Sequence, residues 1–456
     1  MNTKLILTGL SSILCPLSFS IALSSCTFEQ EDYFDESASL RITHLNEQLQ
    51  QRLVEQSDTT QGRHGWVIQY FVGGTDDYDF EGFNLFARFY QNGKVTLAGN
   101  HRYLRGGQAN KYTEHSSSYE MLAEEGPVLS FNTWNDILTV FEDPVDPTAA
   151  PANLVNNGEG MYGDHNLVLR SISDDDIQFR GERHSANIRF IPADRPWQEY
   201  IDLVNTTKNY IATSTLTSYY VTNGADTMYF SGLNRGYFNY CDRVADPLIN
   251  SVLSCVFTPN GFRLNHDATL GDNVFREFTM SADSTCLLSE NGDVKVMATW
   301  DSYILSRTRV WNFDPELYTA EQEAIVAQIE AELKKRSSAW SLQGIGMGRS
   351  TGKDAVSGLV LTIYTNTRQS STTTVGLSVN TQSNGFGQVR IEADPNKAVD
   401  GNMTSVVNNG ATQIVDLVYA FASTIYGTYS MVPDNYFLPT GCEYVPQGAG
   451  TRFILK

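Results

Sequence analysis

The chain has 456 residues, with 52 Asp and Glu against 32 Lys and Arg, and a formal net charge of −20. A field of that sign repels nucleic acid and anionic headgroups, and no cluster of Lys and Arg offsets it, which argues against nucleic-acid binding. The length allows two or three domains, and 23 Tyr, 23 Phe and 35 Gly favour strands joined by tight turns.

The N-terminus carries one charge, Lys4, and then an apolar run over residues 5–23 that Ser, Thr, Gly and Pro16 interrupt. A membrane-spanning helix needs roughly 20 mostly apolar residues, whereas this broken run has the form of a signal peptide over residues 1–25. It ends in Leu23-Ser24-Ser25-Cys26, which resembles the bacterial lipobox: one apolar and two small residues ahead of the cysteine that receives the lipid. Cys15 follows the bulky Leu14 and makes a poorer site. The resemblance implies an exported protein with Cys26 as its lipidated first residue and the membrane as a partner through that anchor. Residues 26–36 then form an acidic tether containing Glu29, Glu31 and Asp32. That tether resembles the signal that sends Bacteroidota lipoproteins to the outer membrane, facing the cell exterior.

Ala38, Ile42, Leu45, Leu49 and Leu53 recur at three- and four-residue steps, which predicts a helix over 37–55. Strands are expected over 65–71, 83–89 and 94–97, the last two joined by Asn92-Gly93, which permits a tight turn. Further strands are expected over 116–122, 127–131, 165–170, 177–183 and 188–191, with Asp174-Asp175-Asp176 as a turn. Pro196 opens a helix with Trp197, Tyr200, Ile201 and Val204 on one side. A second β-rich stretch follows, with hairpins turning at Pro259-Asn260-Gly261 and Glu290-Asn291-Gly292. Thr319 and Gln322 match a capping box for a helix over 320–336, striped by Ile325, Ile329 and Leu333. Trp340 follows that helix much as Trp66 follows the first, which hints at a repeated plan. Strands over 358–364, 374–379, 388–393, 427–432 and 451–455 and a helix over 413–422 complete the reading, with the polar segment 365–374 as an exposed loop or edge strand. The expected fold is mainly β (α+β), with antiparallel barrel-like meanders each preceded by an amphipathic helix. The divisions are 37–195, 196–312 and 319–456.

Several strings together resemble one family: Glu31-Asp32-Tyr33-Phe34-Asp35, Gly65-Trp66-Val67, Asn92-Gly93-Lys94-Val95, residues 126–133 (GPVLSFNT), Phe141-Glu142-Asp143-Pro144, Gly163-Asp164 and Gly181. The chain is similar, over most of its mature length and most densely over 26–200, to a Bacteroidota lipoprotein family filed as domain of unknown function 4302. Gly181-Glu182-Arg183 departs from the usual Gly-Lys-Lys. The resemblance implies an envelope address and association with nutrient-acquisition or adhesive surface systems, and it carries no activity, ligand or catalytic residue.

No catalytic set assembles from the remaining motifs. Gly348-Arg349-Ser350-Thr351-Gly352 spells a nucleophile elbow, but no helix follows it and no histidine lies beyond His266. The same stretch nearly spells a phosphate loop, with Met347 and Asp354 at positions that need glycine and Ser or Thr. It reads as a flexible glycine loop. The seven histidines show no metal spacing and read as surface or turn residues, and no cofactor or metal is expected. Cys241, Cys255, Cys286 and Cys442 allow three full disulfide pairings, and buried thiols are an equal reading. Each of the six tryptophans lies in or beside an apolar stripe, so packing is the default, with Trp134 and Trp197 as the binding candidates. These readings favour a non-catalytic surface protein that binds glycan, peptide or an outer-membrane uptake protein. A glycoside hydrolase using an Asp/Glu pair and a structural or adhesive subunit are the alternatives.

Overall fold

The computed structural model describes residues 36–73, 80–143, 160–212, 218–233, 236–241, 251–298, 309–384 and 387–456; Cys26, the rest of the tether through residue 35 and Pro144 lie outside them. The fold is mainly β, built as three consecutive antiparallel meanders.

The first begins with helix α1 (Ala38–Gln56), whose N-cap Ser37 accepts a hydrogen bond from the Leu40 N–H. Its buried Leu49 and Leu53 face the sheet, and Trp66 Nε1 donates to the Leu53 carbonyl at 3.1 Å. The strands are β1 (Trp66–Phe71), β2 (Phe83–Phe89), β3 (Lys94–Gly99), β4 (Thr113–Ser118), β5 (Glu120–Ala123), β6 (Pro127–Ser130), β7 (Asn166–Ile172), β8 (Ile177–Gly181) and β9 (Asn187–Pro192). Their order, β4-β3-β2-β1-β9-β8-β7-β6-β5, puts β4 and β5 at opposite edges. These two strands are joined through Tyr119 alone, so the sheet curls round on itself. The predicted Asn92-Gly93 turn is present, with Gly93 at φ +72°, a conformation that glycine adopts without steric cost.

Helix α2 (Trp197–Ile211) links the first meander to the second. Trp197, Tyr200 and Ile201 pack on the outside of the first sheet against Val67, Phe86 and Ala98. Farther along, α2 contacts β13 and β14 of the second sheet, which comprises β10 (Ser218–Thr222), β11 (Thr227–Ser231), β12 (Tyr237–Cys241), β13 (Ser251–Thr258), β14 (Gly261–Leu270), β15 (Asn273–Met280), β16 (Leu287–Ser289) and β17 (Lys295–Ala298). This sheet is a closed barrel, sealed by pairs such as Tyr219 with Ala298. Both expected hairpins are present.

The third meander comprises β18 (Trp311–Asn312), helix α3 (Ala320–Arg336), β19 (Ser341–Arg349), β20 (Ser357–Tyr364), β21 (Thr372–Ser383), β22 (Gln388–Ala393), helices α4 (Gly401–Asn408) and α5 (Ile414–Ser423), β23 (Gly427–Pro433), β24 (Cys442–Pro446) and β25 (Phe453–Leu455). Asn312 and Lys456 exchange both backbone hydrogen bonds at 2.8 Å, and Phe313 bridges Leu455, so the first strand meets the last.

Three readings change here. Residues 344–349, expected in a flexible loop, belong to β19. Their glycines serve close approach: a Cβ on Gly346 would lie 2.5 Å from the Trp311 carbonyl oxygen, and one on Gly348 2.6 Å from that of Arg309. Trp311 and Asn312, grouped with the second region, pair into the third sheet. There the helix follows the first strand rather than preceding the whole sheet.

Candidate ligand-binding site

Between β6 and β7, at the rim of the first sheet, lies an open cavity of about 340 Å³ lined by residues that include Asn132, Trp134, Glu142, Asp143 and His165. Trp134 is 47% exposed. Its position is fixed from beneath by the fully buried Asn135, whose Nδ2 donates to the His115 carbonyl at 3.1 Å and to Ser117 Oγ at 2.9 Å. Asn135 Oδ1 accepts from the Ile137 N–H at 3.0 Å, and Thr133 Oγ1 accepts from the Ser118 N–H at 2.8 Å. The indole Nε1 donates to Asp136 Oδ1 at 2.6 Å, and the Arg105 guanidinium lies 4.9 Å from the ring centroid. Arg105 also pairs with Asp143. The ring is therefore held rigidly while almost half of the residue faces solvent.

The opposite wall is a short helical turn, Thr139–Glu142. The Phe141 carbonyl accepts from the N–H groups of Met161 and Gly163, and a Cβ on Gly163 would come within 2.7 Å of Phe141 Cβ. His165 extends from the start of β7 and shares a 2.6 Å hydrogen bond with Glu142. That bond, followed by the charges of Glu142, Asp164 and Glu182, raises the His165 pKa above the ordinary 6.5. The other oxygen of Glu142, Oε1, is buried without a hydrogen-bond partner. Asn132 Nδ2 donates to Glu120 Oε2 at 3.2 Å.

Asp164 supports this wall from behind. Its carboxylate accepts from the N–H groups of Arg183, His184 and Ala186, and the Tyr70 hydroxyl accepts from its N–H at 2.7 Å. A Cβ on Gly181 would sit 1.9 Å from Asp164 Oδ2, which explains glycine at that position.

Trp197, the other binding candidate, is 2% exposed, with Arg88 4.0 Å above its ring and Phe86 5.7 Å away. It is a packing residue with no face free for a ligand. Trp66 and Trp311 are buried, and Trp340 is half-buried and packs against the apolar cluster of the second and third sheets. Ser350 is buried in a turn, where its Oγ accepts from the Val356 N–H, and is not presented as a nucleophile. His101 and His184 correct the expectation of surface histidines. His101 is buried against Phe83 and Phe141, and burial lowers its pKa to about 4. The His184 side chain is only 10% exposed and bonds the Gly163 carbonyl. Among the described residues no group of His, Cys, Asp and Glu is arranged to hold a metal. Cys255, Cys286 and Cys442 are free, buried thiols, and the Cys241 side chain lies outside what is described.

The sequence singled out Trp134 but missed Arg105, Glu142, Asp143 and His165 as its neighbours. The one signal was indirect, since Asn132-Thr133 and Glu142-Asp143 lie within two of the strings that carried the family resemblance.

No curated protein matches the chain. Among solved structures, the Helicobacter pylori beta clamp bound to DNA ligase peptide is 9% identical over 91% of this chain and 96% of its own, at a TM-score of 0.11. DNA polymerase III subunit beta from Pseudomonas aeruginosa is 7% identical over 89% and 97%, at a TM-score of 0.10. Likeness at that level says nothing about fold or function. The model of a domain of unknown function (DUF4302) matches residues 30–282, more than half of the chain, and the protein belongs to that family.

Proposed function

We propose that this protein is an exported lipoprotein, anchored through Cys26 at the outer membrane and facing the cell exterior, that binds glycan at the Trp134 shelf without cleaving it. The observation that carries the binding reading is the rigid, half-exposed Trp134 beside a carboxylate, Glu142, whose Oε1 has no hydrogen-bond partner. A sugar presents an apolar C–H face and a rim of hydroxyls; the indole takes the first and Glu142 Oε1 accepts from the second. The anchor reading rests on the lipobox and the acidic tether.

Cleavage would require one carboxyl kept protonated as a general acid. The described carboxylates with shifted pKa values, Asp194, Asp314 and Glu332 among them, are shifted down rather than up. At the shelf itself, Asp143 is paired with Arg105 and Glu142 is bonded to His165. The adhesive alternative needs an open strand edge, whereas the second sheet is closed and the first and last strands of the third are joined by Asn312 and Lys456.

Full-length protein purified in detergent is to be applied to a glycan array, with mass spectrometry of the same preparation. The expected result is retention of a defined set of glycans and a diacylglyceryl-modified Cys26. An array with no glycan retained removes the binding reading, and an unmodified N-terminus removes the anchor.

A further inference from the structure

A second cavity, of about 490 Å³, opens between the first two sheets beneath α2 and is separate from the Trp134 shelf. Its walls are fixed by contacts that cross from one sheet to the other. The Gly82 N–H donates to the Cys255 carbonyl at 3.0 Å, Ser254 Oγ to the Phe80 carbonyl at 2.6 Å, and Asn84 Nδ2 to the Phe257 carbonyl at 2.8 Å. Cavities at such junctions are frequent ligand sites, and this volume suits a monosaccharide-sized molecule.

Two polar groups of the cleft have no hydrogen-bond or ion-pair partner among the described residues: the Lys208 ammonium and Asn84 Oδ1. Lys208, in the last turn of α2, points its ammonium over the Phe257 ring at 5.1 Å and has no carboxylate partner among the described residues. Asn84 uses its amide nitrogen on Phe257, while its Oδ1 is buried with no donor. A buried acceptor left in that condition is destabilising unless something donates to it. The cleft's other cation, Arg102, pairs with Glu81 at 3.3 Å. The unsatisfied set is thus one positive charge and one hydroxyl acceptor, with Ile201 and Val204 supplying apolar wall.

We propose that this cleft binds a hydroxylated carboxylic acid of uronic-acid size, its carboxylate on Lys208 and one hydroxyl donating to Asn84 Oδ1. Charge selects the ligand, since a neutral sugar leaves Lys208 unpaired and an acid without hydroxyls leaves Asn84 Oδ1 unpaired.

The test is calorimetric titration of the full-length protein with glucuronate, galacturonate and gluconate, and with glucose and galactose as neutral counterparts. Wild type is expected to bind at least one acid and to bind the neutral sugars at least about tenfold more weakly. Lys208→Gln should weaken the acid at least about tenfold, the loss of one charge-assisted hydrogen bond, while Lys208→Arg retains most of the affinity. Trp134→Ala should leave it unchanged, so failure here is distinguishable from failure of the shelf. Absence of binding by every acid, equal affinity in Lys208→Gln, or loss of binding in Trp134→Ala would each overturn the proposal.

Discussion

Asn135 is fully buried one position from the half-exposed Trp134, and that contrast shows how the shelf is made. The buried amide satisfies the loop's backbone, which leaves the neighbouring ring free to face outward at little cost. His165 and Glu142 divide their roles in a similar way. Their bond raises the His165 pKa, so its contribution to stability and to the orientation of Glu142 is fully present below 6.5 and is lost as pH rises through the raised value. NMR titration should find His165 above 6.5 in the wild type and closer to 6.5 in Glu142→Gln; a wild-type value at or below 6.5 would show that the bond does not hold the proton. At this scale little was legible from sequence. Trp134 and Trp197 are each followed by an amide residue and an acidic one, and nothing local tells which ring a distant part of the chain covers. Trp197 is buried by Phe86 and Arg88, more than a hundred residues earlier in the chain.

The elements with local signals were the ones the sequence revealed. Asn92-Gly93 and Asn291-Gly292 marked hairpins because few dipeptides accept their backbone angles, and Thr319 with Gln322 marked the start of α3 through a reciprocal cap that the structure contains. Elements that depend on distant partners were not revealed: β19 was hidden by glycines that make room for Trp311, and α4, eight residues long, is too short for a helical stripe. Gln322 does more than cap. Its Nε2 also donates to Thr424 Oγ1 at the end of α5, at 2.9 Å. Thr319→Ala should cost about 1 kcal/mol, the usual value of a lost cap, and Gln322→Ala about 2 kcal/mol, because a contact between helices is lost as well. Hydrogen-exchange protection of α3 measures both locally. Equal losses would mean that the Thr424 bond contributes nothing.

At the level of the whole molecule, the second and third sheets share one apolar cluster that runs from Ile211 to Leu455, while the first keeps its own. The first is joined to the second by the Trp197 face of α2 and by polar links such as Arg189 with Glu277 and Asn187 with Asn265. The three-part plan could be anticipated from the succession of hairpins. Closure could not, because it rests on pairings such as Tyr219 with Ala298 and Asn312 with Lys456 that carry no local mark. The shelf sits on the first sheet, within the stretch that the family model covers. Its role is tested most directly by titrating the glycan that the array retains best against wild type, Trp134→Ala and Trp197→Phe. Trp134→Ala should weaken binding at least about tenfold with folding unchanged, and Trp197→Phe should bind as wild type does. Wild-type affinity in Trp134→Ala would contradict the assignment.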